Sequence, residues 1–342
     1  MREYLYQLAT DRKKGHFARI CRAVLCLFAC AYGLLVRLVR ARALQNRRDT
    51  GVKVIGVGNI TLGGTGKTTL VEYIVRFLVK EGRRVAVLSR GYKKADEPLM
   101  LQDMLGGVPV IVDKDRLRGA LRARREYGAD TLVLDDAFQQ WRVEKDLDIV
   151  VIDATNPFGN ERLLPRGILR EELRALGRAD CLIITKTNLR PQVGALEGRL
   201  RRFAPRADIF TAEHLPCGVF KLSEPGTLLS LKAIRGRRAV LFCGIGDPVS
   251  FEALIRGAGV IVDKVMRFDD HHWYTDADVQ RIVGAARGEG SDLVITTRKD
   301  AVRLKEKTFS DKGISCYVLG IALSLRENEE RFFHRLRDLY TL

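Results

Sequence analysis

The stretch NITLGGTGKTTLVEYIV, Asn59 to Val75, carries the residue types that hold a phosphate. Gly63, Gly64 and Gly66 let backbone N–H groups turn toward an anion, and a helix starting near Thr68 adds its partial positive charge. Lys67 has the reach to meet outer phosphates, and the Thr68 hydroxyl suits Mg²⁺. The pattern G-x-x-x-x-G-K-[ST] fails only at its first position, where Thr61 replaces glycine. That glycine contributes least to the cradle. The loop of Thr61, Gly63, Gly64, Thr65, Gly66, Lys67, Thr68 and Thr69 is therefore read as a site for the phosphates of a nucleotide such as ATP.

Three further clusters could do chemistry. TLVLDD is a buried strand that delivers Asp135 and Asp136 to a sheet rim, as a Walker B carboxylate is delivered to Mg²⁺. The spacing does not say which of the two lies nearer the metal. Asp96 follows a strand by a short loop and could take the proton of an attacking hydroxyl. On spacing alone, a solvated loop acid is the favoured reading of that residue. RFDDHHWYT sets His271 and His272 beside two aspartates, fitting either metal ligation or a charge-tuned acid–base pair. Adjacent histidines point in different directions, so at most one joins any one site. TTRKD places Lys299 and Asp300 at a second sheet's rim, with loop capping as the plain alternative.

The elements that must position these residues alternate. Strands are expected at Val52–Val57, Val85–Leu88, Val108–Val112, Thr131–Leu134, Ile149–Ile152 and Cys181–Ile184, with helices at Thr68–Lys80 and Leu117–Tyr127. Such alternation predicts an α/β fold, a parallel sheet covered on both faces. In that architecture function gathers at the carboxyl ends of the strands, where the polar clusters fall. Around 201–232 the alternation lapses among Pro205, Pro216, Gly218, Pro225 and Gly226. A second alternation follows, with strands at Ala239–Cys243, Val260–Val262, Leu293–Thr296 and Cys316–Leu319. The expected organisation is an N-terminal segment 1–48, a P-loop NTPase-like α/β domain 49–204, a linker 205–235 with a hairpin, and a smaller α/β domain 236–342 ending in an amphipathic helix.

Composition narrows the partners. The 342 residues carry 59 Lys and Arg against 42 Asp and Glu, a net charge of +17. That surplus points to an anionic partner, be it nucleic acid, a membrane surface or a phosphorylated substrate, with a solvated basic surface as the plain alternative. The seven cysteines are odd in number, form no CxxC pair, and read as reduced, buried thiols without a zinc site. From Ala23 to Val36 the chain is apolar for 14 residues, flanked by Arg19, Arg22, Arg37 and Arg40. A spanning helix needs about 20 apolar residues, so this segment reads as a helix lying on or dipping into the inner leaflet, with a helix packed on the protein itself as the plain alternative.

Together, GVGNITLGGTGKTTL, VLSRGYKKADEP, LDDAFQQWRVEKDLDIVVID, FGNERLLPRGILRE, FCGIGDPVSF, FDDHHWYT and TTRKDAVRL resemble the tetraacyldisaccharide 4′-kinases, the lipid A kinase family of Gram-negative bacteria. The motifs occur in family order from about residue 51 to 304, and the family also has threonine at the Thr61 position. The resemblance implies ATP- and Mg²⁺-dependent phosphorylation of the 4′-hydroxyl of a tetraacylated glucosamine disaccharide 1-phosphate. It implies an anionic acylated lipid as partner at the cytoplasmic face of the inner membrane, with no nucleic acid and no obligate protein partner. By motif, Asp96 matches the family's acid–base aspartate and His271 its partner histidine. Lys67, Thr68, Asp135 and Asp136 match the nucleotide and Mg²⁺ residues, with Lys67 also counted catalytic. Three places depart from the family pattern: Ala95 for glycine, Ala137 and Gln140 within DDGxQH, and Arg166 and Ile168 within LPAGPLRE.

Two other classes share parts of the pattern. Partitioning-type ATPase switches carry lysine before the glycine pair, where this chain has Leu62. GTPases and GTP-dependent metallochaperones carry N-K-x-D, of which TKTN at Thr185–Asn188 is a distant echo.

Overall fold

The computed structural model describes residues 11, 15–91, 96–304, 309 and 313–341. Tyr92, Ala95 and most of the first 14 residues, which the motif and the N-terminal segment include, lie outside the described residues. In chain order the first elements are α1 (His16–Gln45), β1 (Lys53–Gly58), α2 (Lys67–Lys80), β2 (Val85–Ser89), α3 (Asp96–Leu105), β3 (Val110–Val112) and α4 (Arg116–Tyr127). Next come β4 (Thr131–Asp135), β5 (Leu147–Asp153), β6 (Cys181–Thr185), α5 (Gly194–Phe203), β7 (Asp208–Thr211) and β8 (Glu213–Lys221). The last are β9 (Arg238–Cys243), α6 (Pro248–Gly257), β10 (Ile261–Arg267), α7 (Asp276–Gly288), β11 (Leu293–Thr297), α8 (Arg298–Ala301), β12 (Ser315–Ser324) and α9 (Glu329–Arg337).

Contacts divide the chain into two compact units. One comprises residues 1–90, 108–213 and 325–342, the other 91–107 and 214–324. The first unit is built on a seven-stranded sheet in the order β3-β2-β4-β1-β5-β6-β7. Its pairings are all parallel. Strands such as VAVLS and LDIVVID are buried at every residue, as a sheet covered on both faces requires. One face holds Val54, Leu88, Leu132 and Leu134 against Ala120 and Ala123 of α4. Another cluster packs Val150, Ile152, Leu182 and Ile184 with Leu200 of α5. α4 begins where the Asp115 carboxylate caps Leu117 and Arg118 N–H, and ends at Gly128 in the left-handed region.

The second unit carries a five-stranded sheet, β10-β9-β11-β12-β8. β9 pairs in parallel with β10 and β11, and β11 with β12. Val219, Leu241, Ile295 and Leu319 pack one side with Phe251 and Ile255 of α6. Val240, Phe242 and Val294 pack the other with Val279, Ile282 and Val283 of α7.

The observed division departs from the expected boundaries at two places. Asp96 and the rest of α3 fold with the second unit, although they lie between strands of the first. α9, expected in the second domain, belongs to the first unit. Its Phe333 stacks on Phe77 of α2 at 4.0 Å between centroids, and its Phe332 meets Phe210 of β7 edge-on at 5.3 Å. Residues expected as linker supply two edge strands, β7 for the first sheet and β8 for the second. Val219 of β8 and Leu229 exchange two backbone hydrogen bonds.

α1 is a 30-residue helix, long and apolar enough to cross a membrane by length and composition. It buries only Ala18, Ala29 and Gly33 and exposes Leu27, Phe28, Leu34, Leu35, Leu38 and Val39. Gly33 is where it touches down, since a Cβ there would stand 2.8 Å from Leu163 Cδ1. The expectation of uniformly buried thiols needs correction. Cys181, Cys243 and Cys316 are buried in strands, but Cys30 on α1 and Cys217 on β8 are exposed, because each faces away from its core. All seven are free.

Candidate functional site

β1 is the middle strand of its sheet, and the chain leaves it for β2 on one side while β5 and β6 lie on the other. Ligands of open parallel sheets bind at such a reversal of strand order. The glycine-rich loop emerges there. Gly63 adopts φ 122° and Gly66 φ 88°, both in the region that side chains with a Cβ avoid. A Cβ built on Gly63 or Gly64 would meet no protein atom within 4 Å, so the loop borders open space at these glycines. The Thr69 hydroxyl donates to Gly66 O at 2.8 Å as α2 begins.

Two braces hold the loop. Leu62 N–H donates to Ile168 O and Arg170 N–H to Ile60 O, both at 2.8 Å, stitching Thr61 beside Leu169. At the end of β6, the Thr185 hydroxyl donates to Thr65 O at 2.8 Å. The first brace delivers a residue that spacing did not reveal. Arg170 grips both oxygens of Asp136 at 2.8 and 2.9 Å. Lys67 Nζ lies 3.6 Å from the same carboxylate. Burial pushes Asp136 up, but the charges of Lys67 and Arg170 outweigh it and hold the carboxyl below its ordinary value. Asp136 has φ 52°, a strained setting for a residue with a Cβ. Asp135 is buried at the end of β4, with its backbone carbonyl accepting from Arg116. Of the two aspartates, Asp136 is therefore the one facing Lys67. On the β5 and β6 ends, Lys186 and Asp153 form a buried ion pair at 2.5 Å.

The second unit assembles a different cluster. His271 Nδ1 lies 2.8 Å from Asp96 Oδ2. An ionised carboxylate only accepts, so Nδ1 carries the proton. His271 sits at φ 62°, fixed by its N–H on Gly244 O. His272 turns away and bonds Asp278 at 2.9 Å, where Thr275 and Asp278 form the capping box of α7. The doublet thus divides between a site and a helix cap.

Arg303 completes the cluster. It is fully buried, donates through Nε to Asp96 Oδ2 at 2.7 Å and through Nη1 to Gly244 O at 2.7 Å, and lies 3.4 Å from Asp300. Thr297 caps α8 by accepting from Asp300 N–H, and the Asp300 carboxylate in turn accepts from the Thr297 hydroxyl, Gly244 N–H and Tyr274. Burial pushes Asp96 up, but the His271 hydrogen bond and the Arg303 charge prevail and hold it at about 2. His271 and Arg303 both serve Oδ2, whereas Oδ1 accepts the Glu97 N–H at 3.0 Å. Lys299 reaches Glu97 at 3.2 Å beside them.

A glycine-rich loop with left-handed glycines, a lysine and a Walker B-like aspartate at a sheet's switch point define a P-loop NTPase-like α/β protein. A family model described as tetraacyldisaccharide-1-P 4′-kinase matches residues 21–341. The tetraacyldisaccharide 4′-kinase of Halothermothrix orenii is 34% identical, covering 95% of each chain. That of Syntrophobacter fumaroxidans is 38% identical over 86% of this chain and 81% of its own. The crystal structure of LpxK from Aquifex aeolicus in complex with ATP aligns with a TM-score of 0.74 at 25% identity, covering 94% of this chain and 100% of that one. The chain belongs to the tetraacyldisaccharide-1-P 4′-kinase family.

Proposed function

We propose that this protein transfers the terminal phosphate of ATP to the 4′-hydroxyl of a tetraacylated glucosamine disaccharide 1-phosphate, working at the cytoplasmic face of the inner membrane. The observation that carries a kinase rather than a nucleotide switch is the hydrogen bond between Asp96 and His271. A switch has no use for an acid–base pair directed at an acceptor.

The loop from Thr61 to Thr69 wraps the triphosphate, and the open space beside Gly63 and Gly64 leaves room next to the loop. Lys67 and Arg170, which share Asp136 here, supply positive charge toward the transferring phosphoryl group. Phosphoryl transfer is largely positioning and charge stabilisation, and it asks little base strength of the group that takes the hydroxyl proton. A carboxylate held at about 2 is therefore adequate as the acceptor of that proton. Oδ1 has lone pairs to spare for the hydroxyl, whereas Oδ2 is occupied by His271 and Arg303. His271 and Arg303 position Asp96 and keep it ionised.

The donors also suit Mg²⁺. Among the described residues no group of three His, Cys, Asp or Glu side chains gathers as a metal cage. Mg²⁺ is usually held by one or two carboxylates plus substrate phosphates. Thr68, Asp135 and Asp136 are the oxygen donors that would hold it. When bound, Mg²⁺ neutralises charge on the phosphoryl oxygens. The exposed apolar face of α1 supports a helix lying in the interface of an anionic membrane, with the acylated lipid as partner.

Mass spectrometry of a reaction containing ATP, Mg²⁺ and the tetraacyl disaccharide monophosphate tests the reading. The lipid should gain one phosphate, and ATP should be consumed only when the lipid is present. ATP turnover independent of the lipid, with the lipid mass unchanged, would overturn it.

A further inference from the structure

A cavity of about 150 Å³ lies between α1 and the segment 163–178 of the same unit. Four arginines line it, Arg37, Arg40, Arg174 and Arg178, against Glu171 and Glu172. Arg37 is committed to Glu172 at 2.6 Å, and Arg178 Nη2 to Glu171 at 3.0 Å. Arg40 Nε and Arg178 Nη1 are buried and make no hydrogen bond among the described residues. Buried donors are rarely abandoned, because leaving one unmet costs about 1–3 kcal/mol. Burial also pushes the Arg40 guanidinium below its ordinary value, and Arg178's charge adds to that effect. Glu171 offsets part of that repulsion, but the two donors stay unmet, and an anion seated in the cavity would satisfy them.

The surroundings say what kind of anion. On the same stretch of α1, Leu34, Leu35, Leu38 and Val39 are exposed. An apolar face of this kind sits at the boundary of headgroups and acyl chains, where the available anions are lipid phosphates. Guanidinium forks match phosphate oxygens in pairs. We propose that this cavity seats a lipid-borne phosphate, held between Arg40 and Arg178 at the membrane surface. The site rests on the membrane-surface reading given above and adds to it a defined pocket, separate from the glycine-rich loop. The phosphate belongs either to a bulk anionic phospholipid or to the acceptor lipid itself.

The test compares the full-length protein with Arg40→Gln and with Arg42→Gln, an exposed arginine on the same helix. Sedimentation is measured with phosphatidylcholine vesicles, with and without phosphatidylglycerol. Binding to neutral vesicles reports α1 alone and should be equal in all three, so its loss in wild type would fault the membrane reading and not the cavity. A bulk-lipid phosphate predicts that Arg40→Gln loses the phosphatidylglycerol-dependent gain by more than the roughly fivefold expected of a single surface arginine, and Arg42→Gln by less. A phosphate from the acceptor predicts instead a raised KM for the acceptor in neutral detergent micelles with kcat unchanged. Arg40→Gln should unfold at the same or a higher temperature than wild type in the absence of lipid, since it removes a repulsive charge. A lowered unfolding temperature would assign Arg40 a structural role and overturn the proposal, as would a variant matching Arg42→Gln in both the vesicle and the micelle assay.

Discussion

Replacing Arg303 with methionine removes the cation that Asp96 and Asp300 share. The guanidinium is wholly buried and bonds Asp96 Oδ2 and Gly244 O while lying beside Asp300. Methionine keeps much of the volume but leaves two buried carboxylates with less compensation. Breaking a buried pair from one side costs about 3–5 kcal/mol, and that is the loss expected in urea unfolding at neutral pH. The pH dependence follows from the direction of the shift. Asp96 is held at about 2, below its ordinary 3.8, so its ionised form stabilises the folded state above its unfolded value. That contribution is lost as pH falls through the folded value. In the variant the carboxyl rises, because burial then faces only His271 and Lys299. The gap in unfolding free energy between the two proteins should therefore narrow steadily below about pH 4. Arg303→Lys should recover part of the loss, restoring charge without the fork that serves two acids at once. A methionine variant within about 1 kcal/mol of wild type, or a gap independent of pH, would refute the role given to Arg303.

Lys67→Ala should lower kcat by at least about 10²–10³-fold while circular dichroism stays unchanged, because it removes a cation aimed at the transferring group. Gly63→Ala forces a Cβ into φ 122° and into the open cradle; a stability loss of about 1–3 kcal/mol with a raised KM for ATP is expected. For His271→Ala a smaller fall in kcat than for Asp96→Ala is expected in the same transfer assay, since the histidine tunes Asp96 and does not take the proton. Deleting residues 1–48 should abolish sedimentation with vesicles, and unchanged sedimentation would remove α1 from membrane binding.

The phosphate loop was legible because its chemistry is contiguous: glycines, lysine and helix start lie within a few residues, and buried strands on either side are continuous apolar runs. The rim aspartates followed from the same logic. The second cluster was not legible by spacing, since His271 lies 175 residues and Arg303 207 residues from Asp96, and only tertiary folding unites them. Motif resemblance points to Asp96 and His271, whereas the contacts of Arg303 and Arg170 with the aspartates arise only in the folded chain. Periodicity marked α9 as amphipathic but could not name its partner, which turned out to be Phe77 and Phe210 of the first unit. β7 and β8 hid in a stretch where Pro205 and Pro216 suggested a linker, because short edge strands leave little periodic signal.

The most direct test of the account is a crystal structure of the protein with a non-hydrolysable ATP analogue and Mg²⁺. The account predicts the β- and γ-phosphates within the turn formed by Gly63 to Thr68, with Lys67 drawn from Asp136 onto them. Nucleotide bound elsewhere, with that turn empty, would contradict it.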